Sequence, residues 1–303
     1  MRRRGFLVLG ASLSAGPALA RTAPLPESFA SPEAGFAAFA EAVKTLDDRR
    51  LLAILGERGR QLIWSGDPAG DRLAREKFSA EYAAKADILR PAPDRAVLQI
   101  GQDGWQLPIP MTERAGTWRF DTAAGAQMLI DRRIGGNELA AIEVLRAIAA
   151  AEREYLAGEG TTGGFPAYAR RLLSSPGKRD GLYWPTAEGA PESPLGPLVA
   201  EATAGGYRRG RGPQPYHGYL FRILEGQGAH ARGGALSYVV RGRMIGGFAA
   251  LASPAQWGST GLASYLISHH GEVWQSNLGP RTAVRAAAID RFDPGPGWTK
   301  LAG

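Results

Sequence analysis

The 303-residue sequence contains no cysteine, and this absence excludes several classes of chemistry at once. A disulfide framework, a cysteine nucleophile, a thiolate zinc site and an iron–sulfur cluster are all ruled out. Histidine is scarce as well, with four residues in the whole chain. The composition, 44% apolar and 21% charged, is that of a globular protein long enough for two domains with separate cores.

No apolar run in the sequence is long enough to span a bilayer permanently. The short apolar stretch at residues 5–13 follows three arginines and precedes Ala18-Leu19-Ala20, which has the small-x-small form of a cleavage site. This order predicts an export signal peptide over residues 1–20, cleaved between Ala20 and Arg21. We therefore expect the protein to be located in the periplasm.

The arginines at the N-terminus also indicate the export route and account for part of the net charge. Arg3-Arg4-Gly5-Phe6-Leu7 fits the core of a twin-arginine signal, and an ordinary signal for unfolded export is the alternative. Loss of residues 1–20 reduces the formal charge from +7 to +4, with 33 basic against 29 acidic side chains. The basic cluster Arg208-Arg209-Gly210-Arg211 is interpreted as a solvated loop, and no nucleic-acid partner is expected.

The periodicity along the chain predicts an α+β fold. Helices from Ser31-Pro32, near Asp47 and over residues 71–86 precede an antiparallel meander of strands at residues 96–100, 105–111 and 117–120. This order is similar to the cone-shaped folds of the nuclear-transport-factor-2 type. The predicted divisions are a linker at 21–30, an N-terminal domain at 31–135, a linking helix with a Gly-rich connector at 136–164, and a C-terminal domain at 165–303.

In the second part of the chain a long helix is predicted over residues 139–157, capped by Asn137. Beyond the connector, the pattern predicts short helices at 166–173, from Ser193 to Gly205, and at 282–288. Strands are predicted between these helices at residues 219–223, 237–240, 247–251, 263–267 and 273–274.

Several long sequence words carry a family resemblance. They are Ser175-Pro176-Gly177-Lys178-Arg179-Asp180-Gly181-Leu182-Tyr183-Trp184-Pro185, Ser193-Pro194-Leu195-Gly196-Pro197, Pro215-Tyr216-His217-Gly218-Tyr219, Asn277-Leu278-Gly279-Pro280 and, upstream, Arg132-Arg133-Ile134-Gly135-Gly136-Asn137-Glu138-Leu139. With them the chain resembles the bacterial domain-of-unknown-function family numbered 2950, over almost the whole predicted mature length. The resemblance implies kinship and no particular activity.

A weaker resemblance concerns the C-terminal half. The segments Tyr216–Phe221, Gly247-Phe248, Ala252-Ser253-Pro254 and Ser268-His269-His270-Gly271 are similar to the meandering sheet of type IV pilin-like domains. An antiparallel pilin-like sheet is therefore expected there. Gly10 stands where pilins carry an acid, so the chain is not interpreted as a pilin subunit.

Recognisable catalytic and cofactor motifs are missing. The sequence has no G-x-S-x-G elbow and no H-E-x-x-H pair. Gly158-x-Gly160-x-x-Gly163 matches a dinucleotide fingerprint literally, but it follows a predicted helix instead of a strand and is interpreted as a connector. His269-His270 is interpreted as a surface pair at a strand end, the alternative being metal ligation. No metal and no cofactor are predicted.

Two groups of residues are candidates for binding. The loop residues Lys178, Arg179, Asp180, Tyr183 and Trp184 combine charges with aromatic rings, as contact surfaces do; the alternative is a turn with the rings packed beneath it. The second group consists of three aromatic residues, Tyr216, His217 and Tyr219. Arg132-Arg133 and Asn137-Glu138 offer a choice between a helix cap with inter-domain salt bridges and a ligand-binding role.

Two functions from different classes follow. The first is a non-enzymatic binding or assembly module of the cell envelope, with an envelope protein or a glycan as partner. The alternative is a periplasmic hydrolase or sugar-binding enzyme that uses Asp180, His217 and Arg222 in a cleft between the halves. Enzymatic activity is left open, with the binding module preferred because no catalytic constellation is recognisable.

Overall fold

The computed structural model describes residues 25–162, 164–207 and 214–302. The predicted signal peptide with Ala20 and Arg21, and the basic cluster at 208–211, lie outside the described residues. Within them, no helix is both long and apolar enough to cross a membrane.

The N-terminal half begins with helices whose starts are set by side-chain caps. The Ser31 hydroxyl accepts from the Ala34 N–H at 3.2 Å, and the Asp47 and Asp67 carboxylates accept from Arg50 N–H and Gly70 N–H. The helices are α1 (Pro32–Lys44), α2 (Asp48–Leu55), α3 (Arg60–Ile63, after a 3-10 turn at Glu57–Gly59) and α4 (Pro68–Ala84).

An antiparallel sheet follows these helices. Its strands are β1 (Ala86–Ala92), β2 (Arg95–Ile100), β3 (Trp105–Gln106), β4 (Met111–Arg114) and β5 (Thr117–Phe120), in the order β1-β2-β4-β5 with β3 paired to β2. The predicted meander is present, but the first strand was missed. Most of β1 is exposed, so its residues show no alternation of apolar and polar character.

A single helix, α5 (Thr122–Ala157), connects the two halves. Its 36 residues give a length of about 54 Å at 1.5 Å per residue. The predicted start at Asn137 is wrong, because Asp121 caps the helix by accepting from the Ala124 N–H. The Thr122 hydroxyl donates to the Leu55 carbonyl at 2.8 Å and holds the first turn of α5 against the N-terminal half, and the helix continues through the two glycines at 135 and 136.

The C-terminal half contains α6 and α7 and nine strands. The elements are α6 (Gly196–Ala204), β6 (Tyr219–Leu224), β7 (Gly226–Gln227), β8 (Leu236–Ser237), β9 (Val239–Val240), β10 (Arg243–Met244), β11 (Ala249–Pro254), β12 (Ser264–Ser268), β13 (Val273–Ser276), α7 (Thr282–Ala287) and β14 (Thr299–Lys300). The helix predicted at residues 166–173 is wrong. This segment is irregular because its backbone bonds to other strands, in bridges of Tyr168 to Met244 and of Leu173 to Tyr183.

The main C-terminal sheet is antiparallel, in the order β14-β13-β12-β11-β6. Every residue of β11 and β12 is buried, so both faces of the sheet are covered. On one face the Tyr219 hydroxyl reaches Ala263 next to α5, and on the other Arg222 reaches the carbonyls of α7. The strand predicted at 237–240 does not join this sheet and instead forms short ladders, β7 with β8 and β9 with β10.

The α+β class is confirmed by seven helices and antiparallel sheets in the described residues. Two hydrophobic cores result, one from the N-terminal helices and sheet and one from the C-terminal sheet with residues 141–155 of α5. The domain boundaries, the likeness to cone-shaped folds and the likeness to a pilin sheet stay predictions.

Candidate functional site

A cavity lies where the chain leaves α5 and enters the C-terminal half. The backbone turns at Gly158, makes a 3-10 turn at Glu159–Thr161 and then pairs at Tyr168 with Met244 of β10. We call the resulting space, of about 380 Å³, the connector cavity. It is lined by Tyr155, Glu159, Gly160, Thr162, Ala167, Tyr168, Arg170, Arg171, Asp180, Glu225, Gly242, Arg243 and Met244.

The charges that line the connector cavity balance, with three arginines and three carboxylates. Arg170 makes a two-pronged ion pair with Glu225, at 2.7 and 3.0 Å. The Arg171 guanidinium lies 3.8 Å from the Asp180 carboxylate. The cavity is therefore rich in hydrogen-bonding groups without a large excess of either charge.

Arg243 is held differently from the other two arginines. Its guanidinium donates to the carbonyls of Gly160, at 2.9 Å, and of Phe165. Its buried Nε has no partner among the described residues. Arg243 thus fixes the connector to β10 and places an incompletely paired cation in the wall of the cavity.

Two tyrosines and a buried carboxyl group lie beside these charges. Burial raises the pKa of Tyr155 and of Tyr168, and the Tyr155 hydroxyl donates to the Arg179 carbonyl at 2.8 Å. Glu152, one turn before Tyr155, is fully buried; burial raises the pKa of its carboxyl well above the ordinary value of 4.5. One carboxyl oxygen accepts from the Ala169 N–H, and the other has no partner within the described chain.

The predicted binding loop adjoins this cavity, although only Asp180 lines it. Asp180 accepts from the Ser175 N–H at 2.7 Å and hydroxyl at 2.9 Å, and the backbone bond lowers its pKa. Arg179 pairs with Glu159 and lies over the Trp184 ring, 5.4 Å from its centroid.

The remaining loop residues follow the turn interpretation more closely. Trp184 is buried, with Tyr155 edge-on to its ring. The backbone N–H of Tyr183 donates to the Leu172 carbonyl, and that of Lys178 closes a turn with Ser175. The loop therefore packs its aromatic rings and presents Asp180 to the cavity.

The second predicted group lies where the N-terminal and C-terminal halves meet. We call this contact, centred on Asp67 and Gly218, the joint. His217 has φ +47°, a strained value for a residue other than glycine, and its ring packs on Tyr216 at 4.2 Å. Gly218, at φ +71°, donates its N–H to the buried Asp67 carboxylate at 2.7 Å. A β-carbon on Gly218 would lie 2.5 Å from the side-chain nitrogen of Asn137, so this turn requires glycine.

Asp67 collects three donors at this joint. Besides Gly218 and the N-cap bond to Gly70, it accepts from the Tyr207 hydroxyl at 2.9 Å. Burial raises the pKa of Tyr207, which keeps the hydroxyl protonated as a donor. His217 and Tyr216 thus belong to a structural joint, and buried Tyr219 packs below it.

The residues proposed as a catalytic set are not brought together. Asp180 bonds to Ser175, the His217 N–H contacts the Tyr207 hydroxyl, and Arg222 donates to the carbonyls of Ala286 and Ile289. These side chains share no partner among the described residues. Tyr219 and Arg222 lie three residues apart on β6, and side chains at odd spacing along a strand point to opposite faces of the sheet.

The pairs Arg132-Arg133 and Asn137-Glu138 also have defined roles. Asn137 is not a cap, since it lies within α5 and donates to the Thr260 carbonyl. Arg133 donates to the carbonyls of Ser259 and Gln61, and Glu138 accepts from the N–H groups of Leu262 and Ala263. The halves are joined here by hydrogen bonds to backbone and by one from Arg133 to the Ser259 hydroxyl. Among the described residues the predicted salt bridges are not formed, and Arg132 is exposed.

Glu152, Tyr168 and Arg243 were not predicted as site residues. Glu152 could have been found, because it occupies the apolar stripe of α5 defined by Ile148 and Tyr155. Arg243 and Tyr168 gave no local signal, since they meet only through the pairing of distant segments. The ring centroids of His269 and His270 lie 4.1 Å apart with the ring planes tilted by 41°. The described residues contain no cluster of three metal-binding side chains.

The structure therefore defines an α+β protein with two cores, a joint and a polar cavity. A family model described as "Protein of unknown function (DUF2950)" matches residues 26–301, and the chain belongs to this family. No curated protein and no solved structure matches the chain significantly.

Proposed function

We propose that this protein is an exported binding module of the cell envelope, and that its connector cavity holds a neutral, hydroxyl-rich ligand such as a glycan unit. The observation that carries the proposal is the composition of the cavity: three arginines balanced by three carboxylates, with two tyrosines beside them. Export is supported by the sequence pattern of residues 1–20.

The charge balance indicates the ligand class. Two of the three lining arginines, Arg170 and Arg171, already face lining carboxylates, so the described residues of the cavity offer hydrogen-bonding groups and not a cluster of unpaired charges. Hydroxyl groups of a sugar both donate and accept, so they can bond to guanidinium and carboxylate groups side by side. Tyr155 and Tyr168 supply apolar ring surface with a polar end, which suits an amphipathic sugar ring.

The incompletely bonded polar groups support a site rather than a filled core. The Arg243 Nε and one oxygen of Glu152 lack partners in the described part of the chain, and each such buried group costs stability. Strongly perturbed carboxyl groups next to a cavity are typical of functional sites. The hydrolase alternative has no comparable support, because Asp180, His217 and Arg222 have separate partners.

The test measures binding to matched neutral and charged sugars. Protein purified from cells that express the full chain is titrated calorimetrically with neutral di- and trisaccharides and with their phosphorylated forms. We expect the neutral sugars to bind more tightly, and Arg171→Ala to weaken that binding about tenfold by removing charge-assisted hydrogen bonds. Arg146→Ala, an exposed arginine on α5, serves as the matched control and leaves binding unchanged.

Two outcomes contradict the proposal. One is that no neutral saccharide binds while the phosphorylated forms do; the other is that Arg171→Ala and Arg146→Ala behave alike. Export is tested separately by mass spectrometry of the protein recovered from the periplasm. A first residue of Arg21 is expected, and retention of residues 1–20 in a cytoplasmic protein contradicts the proposed location.

A further inference from the structure

A second cavity, in the N-terminal half, has a different character. We call this space of about 470 Å³ the hairpin cavity, because the β4–β5 hairpin forms one wall. It is lined by Leu25, Pro26, Leu55, Gly56, Glu57, Arg58, Thr112, Arg114, Thr117, Arg119, Phe120, Asp121, Thr122 and Ala123. It shares no lining residue with the connector cavity.

The strand register explains the polar wall of this cavity. Thr112 lies opposite Arg119 and Arg114 opposite Thr117, so these four side chains share one face of the hairpin. The other face carries Met111 and other core residues. Two guanidinium and two hydroxyl groups therefore form a polar platform outside the core.

The arginines of the hairpin cavity are unpaired, in contrast to those of the connector cavity. Within the residues that the structure describes, no ion pair or side-chain hydrogen bond engages the guanidinium groups of Arg58, Arg114 and Arg119. The Nε of Arg119 is also buried without a partner.

The two lining carboxylates are already used elsewhere. Glu57 makes a two-pronged bond to Arg60, which lies outside the lining, and Asp121 caps α5. The cavity thus holds three cations against one lining carboxylate, Asp121, that no cation of the described residues pairs with. A guanidinium group binds the oxygens of carboxylates and phosphates with matching geometry.

Much of the remaining lining is apolar. It includes Leu25, Pro26, Leu55, Phe120 and Ala123, of which Leu25 and Ala123 are exposed. A volume of this size is within the range that small-molecule sites have. The cavity therefore combines cationic side chains with apolar ones.

We propose that the hairpin cavity binds an amphipathic oxoanion, with a carboxylate or phosphate head at Arg119 and a short alkyl body on the apolar surface. The head would take the donors of Arg119 and be approached by Arg114 and Arg58. The alkyl body would cover the exposed side chains of Leu25 and Ala123, which gains free energy by removing apolar surface from water. This site is independent of the one proposed for glycans.

The experiment compares four probes with a common design. Octanoate and octyl phosphate carry the head and the chain, octanol carries the chain alone, and inorganic phosphate carries the head alone. Each is titrated calorimetrically into protein purified after expression of the full chain. We expect octanoate, octyl phosphate or both to bind at least about tenfold more tightly than octanol and inorganic phosphate.

Variants then locate the binding. Arg119→Gln is expected to weaken octanoate or octyl phosphate binding about tenfold or more, and Arg119→Lys to weaken it less because the charge remains. Arg49→Gln, an exposed arginine on α2, and Arg171→Ala in the connector cavity should leave this binding unchanged. Thermal melting of each variant checks that it folds; if Arg119→Gln does not, Arg114→Gln replaces it.

The proposal is overturned if octanol binds as tightly as octanoate and octyl phosphate, since the cationic wall would then have no role. If inorganic phosphate binds as tightly as octyl phosphate, the alkyl chain makes no contribution to binding, and the proposal is also overturned. Unchanged affinity in Arg119→Gln and Arg114→Gln, or the absence of binding for both head-bearing octyl probes, also overturns it.

Discussion

The two sheets of the molecule are buried in different ways. In the N-terminal sheet, β2 alternates buried and partly exposed residues, and its edge strand β1 is mostly exposed. In the C-terminal sheet, the central strands β11 and β12 are buried along their whole length. The first sheet buries one of its two faces, whereas the second sheet is a central layer between α5 and α7.

The two cavities differ in a corresponding way. The connector cavity lies against the C-terminal core, and two of its three arginines are paired with lining carboxylates. Two arginines of the hairpin cavity, Arg114 and Arg119, lie on the face of the N-terminal sheet that points away from the core, and the arginines of this cavity have no carboxylate partner in the described chain. A sheet with one free face can display charges to a ligand, while a central layer cannot.

The largest expected effect comes from truncating a side chain of the central layer. Leu266 of β12 is 1% exposed, and Leu266→Ala should cost about 3 kcal/mol of the free energy of unfolding because it leaves a cavity between covered faces. Leu89→Ala on β1, where the side chain is 37% exposed, should cost about 0.5 kcal/mol or less. Urea denaturation of both variants measures the difference. Equal costs would contradict the contrast between the sheets.

A smaller effect is expected at the joint. Asp67→Ala removes the acceptor of Gly218 N–H and Tyr207 hydroxyl as well as a helix cap, and should cost about 2 kcal/mol. The matched variant Asp47→Ala removes only a cap, with an expected cost of about 1 kcal/mol. Calorimetry should show separated unfolding transitions of the two halves in Asp67→Ala alone. A single transition, shifted as in Asp47→Ala, would show that Asp67 does not couple them.

The effect that is smallest at pH 4.5, and that grows as pH rises, concerns Glu152 in the C-terminal core. Since burial raises its pKa in the folded state, its stabilising protonated form is fully present below 4.5 and is lost as pH rises toward the folded pKa. Glu152→Gln should therefore gain stability relative to the parent as pH rises. The gain is at most about 0.4 kcal/mol at pH 4.5, where the unfolded carboxyl is half ionised.

Thermal unfolding of both proteins between pH 4 and pH 8 measures this trend. Glu154→Gln, an exposed neighbour on α5, is the matched control and should show no such divergence. A constant difference between Glu152→Gln and the parent over this range would mean that Glu152 is ionised in the folded protein. Burial would then not raise the pKa of the Glu152 carboxyl group.

Local signals predicted many elements correctly. The Ser31 cap and the apolar stripe of α1 defined the first helix, and alternation over residues 96–100 defined β2. Alternation failed for β1, which is mostly exposed, and helical periodicity failed at residues 166–173, where backbone bonds to Met244 and Tyr183 replace a helix. Periodicity reports burial on one face, so segments without such a face escape it.

The sequence by itself determined the α+β class, the family and the chemistry that a chain without cysteine cannot perform. Tertiary structure alone decided which residues meet. Glu152 and Arg243 come from distant segments, and the register of β4 with β5 places Arg119 and Arg114 on one face. The physical reason is that caps and periodicity act over a few residues, whereas cavities and joints form where segments far apart in the chain pack together.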